Sequence, residues 1–138
     1  MSATGGAAPG TSEESGAGLH PALDPAAVVH EHLRAFNAGD LPALLDGFRP
    51  EAVWVTGRCR ARGRTELSEL FGRAMADLRP TLTLRTLVAT EGLVACELTE
   101  VLVSGGRQQT YPIACFYEIA AGRIVSARIY REGSAEVS

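Results

Sequence analysis

Residues 36–64, FNAGDLPALLDGFRPEAVWVTGRCRARGR, decide the fold of this chain. They hold a helix stop, a second short helix, a strand and a glycine–arginine entry to a third helix. Gly39-Asp40 closes one helix and caps the next. Glycine tolerates the left-handed conformation that follows a helix, and aspartate accepts from the free N–H groups that open one. Asp40 opens a segment from Leu41 to about Gly47, with Leu41, Leu44 and Leu45 on its apolar side. Pro50 ends that segment, Ala52 to Thr56 reads as a strand, and GRCRARGR links it to the helix beyond.

Upstream, Asp24-Pro25 is an N-cap followed by proline at the first helical position. Val28, Val29, Leu33 and Phe36 then share one arc, so a helix runs to about Ala38. Downstream of Gly63, Leu67, Leu70, Phe71, Ala74, Met75 and Leu78 recur at helical spacing until Pro80 stops the pattern. Strands are predicted at Leu82–Thr90, Leu93–Val103, Arg107–Ile119 and Arg123–Tyr130. Glu91-Gly92, Gly105-Gly106 and Ala121-Gly122 are the turns between them. Helices first and an antiparallel meander afterwards means α+β. Residues 1–20 are too poor in large apolar side chains to offset their ordering entropy, so a disordered tail is expected there. One domain is expected at 21–133 and a short C-terminal tail at 134–138.

The chain has 138 residues, enough for one core of ordinary size. Its net charge is −3, and all thirteen basic residues are arginine. That balance disfavours a nucleic-acid surface and leaves small molecules or a second copy of the chain as partners. Three cysteines without CxxC spacing argue against a disulfide scaffold and for a reducing compartment, hence a cytoplasmic protein. No apolar run approaches the roughly eighteen residues that span a bilayer, so no membrane is expected. No GxGxxG, P-loop or serine elbow is present, and no cofactor is called for. His30 and His32 diverge by about 160° on a helix and cannot chelate together, and no other spacing suggests a metal.

Leu93–Val103 is apolar on both faces, whereas a sheet wetted on one side should alternate. Val94, Cys96, Leu98, Glu100 and Leu102 share one face; Leu93, Ala95, Glu97, Thr99, Val101 and Val103 share the other. One face is expected to meet the helices and a pocket, the other a second subunit, giving a homodimer through the sheet.

AFNAGDLPALLDGFRPEAVW, GRTELSELF and GRIVSARIY, in this order of elements from about Asp24 to Gly133, resemble the nuclear transport factor 2-like superfamily. That superfamily includes SnoaL-like cyclases, ketosteroid isomerases and limonene-epoxide hydrolases. The resemblance implies a cone of three N-terminal helices on a strongly curved antiparallel sheet, with a pocket inside for a small, largely apolar organic ligand. It does not carry over the known catalytic sets. The isomerases' helix-one tyrosine falls on His32, their base on Thr56, and their second acid on Ala114, after Pro112-Ile113. The hydrolases' Arg-x-Asp pair falls on Glu97-x-Thr99 and their last aspartate on Ile129.

Polar residues that the resemblance places inside the cone are His32, Thr56, Glu97 and Thr99, with Trp54 and Phe116 as aromatic walls. Glu97 is the candidate acid or base, because a carboxylate among apolar neighbours is pushed toward its neutral form. Its alternative is an ion pair or exposure; a one-residue slip puts Glu100 inside instead. His32 is the candidate proton partner, or a core residue satisfied by a neighbour. Thr56, Thr99, Trp54, Ala114, Phe116 and Ile129 would contact the substrate. Arg58, Arg60, Arg62 and Arg64 read as a rim that captures an anion or as a solvated loop. The implied activity is acid–base chemistry of isomerase, cyclase or hydratase type in secondary metabolism. The alternatives are a non-catalytic binding or assembly module and a structural dimer with a filled pocket.

Overall fold

A computed structural model describes residues 24–132; the tails expected at 1–20 and 134–138 lie outside them. Helix α1 spans Pro25–Ala38, capped by the Asp24 carboxylate, which accepts from Ala26 N–H at 3.0 Å. It stops at Gly39, whose φ of 68° no β-carbon resists. Asp40 then accepts from Ala43 N–H at 3.2 Å and opens α2, Leu41–Asp46. Helix α3 covers Gly63–Asp77 and turns Leu67 and Phe71 into the core. Six strands follow the chain as β1 Phe48–Thr56, β2 Cys59–Arg62, β3 Thr81–Ala89, β4 Leu93–Ser104, β5 Arg107–Ala120 and β6 Arg123–Arg131.

They form one sheet in the order β2-β1-β6-β5-β4-β3, with the helices on its inner face. The sheet is mixed rather than wholly antiparallel, because β1 runs parallel to β6. Register shifts between Phe48 and Val53, Leu84 and Thr86, and Glu118 and Ile119 bend it around the helices. The Asn37 amide ties α1 to the far strand, donating to Leu82 C=O at 2.8 Å and accepting from Leu82 N–H at 2.7 Å.

Two local readings need correction. β1 begins at Phe48, before Pro50, which falls in the register gap of the β1–β6 pair, where no N–H is required. The arginine run is not all loop: Cys59–Arg62 pairs with β1, with Trp54 opposite Ala61 and Thr56 opposite Cys59. Its alternate arginines face away from the core and suit an edge strand that must not recruit another.

The larger correction concerns β4. Val94, Cys96, Leu98, Glu100 and Leu102 point inward and are buried. Glu97 is therefore outside and exposed, where Thr86 Oγ1 donates to its Oε1 at 3.3 Å. Thr99 shares that outer face, as do Ala114 and Phe116 on β5, opposite Glu97 and Ala95 respectively. Four of the residues expected inside the cone thus face out, and for one reason. Both faces of β4 are apolar, so alternation alone does not choose between them, and a period-2 strand moves all its side chains together. The outer face carries Val88, Leu93, Phe116 and Tyr130, which are 63%, 43%, 43% and 54% exposed.

Candidate functional site

Between α1, α3 and the inner face of the sheet lies a cavity of about 550 Å³, a size that suits a small organic ligand. Phe36 from α1, Phe71 from α3 and Trp54 from β1 form its aromatic wall. Trp54 meets Phe71 edge-on with ring centroids 4.9 Å apart, the offset that aromatic quadrupoles favour. Leu70 and the strand residues Ile113 and Ile129 add aliphatic surface.

Against this apolar wall stands one ionic group. The Arg131 guanidinium donates from Nε to Glu100 Oε1 at 2.7 Å and from Nη2 to Oε2 at 2.9 Å. Its Nη1 donates to Thr56 Oγ1 at 3.1 Å. Residues from β6, β4 and β1 therefore meet, because Ala127, Ile129 and Arg131 continue one inward stripe of β6 and Glu100 is the one charged member of the inner face of β4. The side chains are 19% and 7% exposed for Arg131 and Glu100, so the pair is largely desolvated. A bidentate geometry is what makes such burial tolerable. A guanidinium has five N–H bonds; among the described residues three have acceptors, which leaves two for a ligand. Thr56 accepts from Arg131, so its own O–H is directed elsewhere.

A second polar group at the cavity wall is Tyr117, fully buried, whose hydroxyl finds no hydrogen-bond partner among the described residues. Burial, followed by the neighbouring Cys115 thiol, holds this phenol well above its usual range, so it stays a neutral donor. Cys115 and Cys96 are direct cross-strand partners. The Cys115 thiol is pushed up by its hydrogen bond to Cys96 and by burial, and is a poor nucleophile.

His32 does not line the cavity. It is 3% exposed and boxed by Phe36, Phe48, Trp54 and Tyr117, with ring centroids at 6.1, 5.6, 5.7 and 5.3 Å. Neither ring nitrogen has a partner among the described residues. Burial lowers its pKa to about 4, so the ring is neutral at pH 7. Among the described residues, no three of His, Cys, Asp and Glu gather as a metal-binding set. No described helix is long and apolar enough to cross a membrane.

Of the residues singled out in the sequence, Trp54, Thr56, Arg58 and Ile129 line the cavity, as does Glu100, the alternative to Glu97, and His32 lies behind its wall. Glu97, Thr99, Ala114 and Phe116 are on the opposite face of the sheet. Arg131 and Tyr117 were missed. The signal for Arg131 was its place two residues beyond Ile129 on the same strand face; for Tyr117, it was the inward stripe Ile113, Cys115, Tyr117, Ile119.

The family model for the SnoaL-like domain matches residues 29–127. No functionally curated protein matches the chain. Among solved structures, it is similar to a hypothetical protein of Catenulispora acidiphila with a ketosteroid isomerase-like fold, in complex with trimethylamine. The two are 18% identical with a TM-score of 0.70, over 75% of this chain and 83% of that one. A limonene-epoxide-hydrolase-like epoxide hydrolase of M. tuberculosis is 22% identical with a TM-score of 0.71, over 76% and 80%. SalBIII, an epoxide hydrolase/cyclase-like enzyme of pyran ring formation in the polyether salinomycin, is 21% identical with a TM-score of 0.71, over 76% and 88%. At these identities the likeness is one of fold.

Proposed function

Since this chain belongs to the SnoaL-like domain family, we propose that it binds a small, largely apolar organic molecule and acts on it by acid–base chemistry. The reaction class is isomerase, cyclase or hydratase, and a place in secondary metabolism is supported by the polyether cyclase among its structural neighbours. The observation that carries the reading is the Glu100–Arg131–Thr56 group, set in the wall of a largely apolar, aromatic-walled cavity. In this reading Glu100 moves the proton, the two remaining Arg131 N–H bonds hold the oxygen on which negative charge develops, and Thr56 orients the substrate. A donor aimed at developing charge in a water-poor site is worth far more than in water. Trp54, Phe71 and Ile129 supply the apolar contact, and Tyr117 a neutral donor. His32 has no part in it beyond packing. The three free thiols support a reducing compartment as the place of work.

The test begins with a thermal-shift screen of steroids, polyketides and terpenes, followed by turnover on whatever binds. Glu100→Gln keeps the shape and removes the base, and should lower kcat by about 10²- to 10⁴-fold while the ligand still binds. Full turnover in that variant would refute the assignment. A second reading, a binding module without catalysis, is favoured by one fact: both Glu100 oxygens are already engaged by Arg131. Binding without turnover in the parent protein selects it.

The outer sheet face supports a homodimer, because Leu93, Phe116 and Tyr130 are large, apolar and clustered there, with Phe116 and Tyr130 edge-to-face at 5.9 Å. Light scattering at micromolar concentration is expected to give a dimer for the parent and a monomer for Phe116→Glu. A monomeric parent removes the proposal.

A further inference from the structure

We propose that the ligand of this cavity is a monoanion, an apolar body bearing one carboxylate, and that Arg58 at the cavity mouth takes that carboxylate. The inference rests on the ligand-binding reading above and adds the ligand's charge and its orientation. Only three charged side chains line the cavity among the described residues: Glu100, Arg131 and Arg58. The first two neutralise one another through two hydrogen bonds. Arg58 is left as the uncompensated charge.

Its position is set by the backbone. Gly57 and Arg58 are the two central residues of the β1–β2 turn, closed by the Thr56–Cys59 pair. Gly57 takes a φ of 56°, which a two-residue hairpin with glycine first requires. Thr56 and Cys59 both line the cavity, so the turn that joins them stands at its rim. Arg58 is exposed there and has no ion-pair partner among the described residues.

The other arginines of the run are used differently. Arg62 lies 3.7 Å from Glu51 and Arg64 3.6 Å from Asp46, while Arg60 pairs with Val55, whose side chain faces away from Trp54 and Thr56. The lining residues Ser104 and Gln109 are uncharged hydrogen-bonding groups. The charge that the lining leaves uncompensated is thus positive although the chain as a whole carries −3. A local field opposite in sign to the net charge draws an anion to this end of the molecule.

A single guanidinium with neutral donors in the same lining suits the planar, singly charged carboxylate, which it grips with two parallel N–H bonds. The carboxylate stays at the mouth with Arg58, next to the Thr56–Arg131–Glu100 group, and its body fills the aromatic cavity beyond. Arg58 is a binding and orienting residue in this arrangement, not a catalytic one.

The test uses the full chain and three probes of one shape: pyrenebutyric acid, its methyl ester and its primary amide, titrated by fluorescence. The acid should bind about fivefold tighter than the ester or amide at low salt, and the preference should shrink at 0.5 M NaCl. Arg58→Gln, an exposed turn change that leaves the melting temperature in place, should bring the acid to the ester's affinity and leave the ester unchanged. Equal affinities in the parent, or a preference for the acid that survives Arg58→Gln, overturns the Arg58 inference while the ligand-binding reading stands. Failure of all three probes to bind overturns both. A pyrenebutyl phosphate that binds tighter than the acid overturns the carboxylate in favour of a dianion.

Discussion

Arg131→Leu should destabilise the protein by about 3 kcal/mol, a fall in melting temperature of roughly 10 °C for a domain of this size. The reason is what the substitution leaves behind. Glu100 is 7% exposed at its side chain, and Arg131 is its one ion-pair partner among the described residues. Without the guanidinium its carboxylate faces apolar wall, and an uncompensated buried charge is among the most costly changes a core can suffer. The same physics predicts that Glu100→Leu/Arg131→Leu regains most of the loss, because a buried pair replaced by well-packed apolar side chains is often neutral. Denaturant or thermal midpoints of the parent, both single variants and the double variant close the cycle. If Arg131→Leu stays within about 0.5 kcal/mol of the parent, solvent screens the pair and the polar end of the cavity is open water. If the double variant is as stable as the parent but no longer turns over the ligand, the pair is retained for chemistry, not for holding the fold.

The elements of this fold were legible because each boundary has a local cause. Asp24-Pro25, Gly39-Asp40 and Pro80 act within one or two residues of themselves, and the glycine turns do the same. The candidate site was not legible to that degree, because it depends on which face of a strand looks in. Val101, Leu93 and Val103 are as apolar as Val94 and Leu98, so β4 alone does not report its inner face. The information lay in β4 and β5 taken together. Gly105-Gly106, with φ of 59° and 77°, makes a two-residue turn that pairs Ser104 with Arg107. Counting back from that pair sets Leu98 against Ile113, Cys96 against Cys115 and Val94 against Tyr117, and these are the more apolar stripe of both strands. Glu100 then follows as the inward carboxylate. Its partner is a different matter. Arg131 approaches from β6, across β5, and no local pattern in the sequence announces that contact. Pro112 shows a related limit: it stands on β5 opposite Thr99, with its C=O accepting from Glu132 N–H at 2.9 Å just beyond the end of β6. A proline with no N–H to return marks where that ladder ends, a meaning visible only once the neighbour is known.

Histidine 32 gives the second large effect, through pH. The ring is buried with both nitrogens unpartnered among the described residues, and burial lowers its pKa to about 4. Unfolded, it titrates near 6.5. Above pH 6.5 both states hold a neutral ring and His32 contributes nothing to the pH dependence. As pH falls from 6.5 toward 4, the unfolded chain takes up a proton that the folded chain refuses, so stability drops. Below about 4 both states are protonated and the loss levels off, having reached about 3 kcal/mol. His32→Phe keeps an aromatic ring among Phe36, Phe48, Trp54 and Tyr117 and removes the titration. Its stability should therefore be flatter than the parent's between pH 6.5 and 4, and the difference between the two curves isolates His32 from the carboxylates that also titrate in acid. Parallel curves for parent and variant, or an NMR titration of His32 centred near 6.5, would show that a ring nitrogen reaches water. The same variant separates packing from proton transfer. A histidine outside the cavity wall that stays neutral through the physiological range cannot relay protons to Glu100, so the pH–rate profile on any substrate found should be unchanged in His32→Phe.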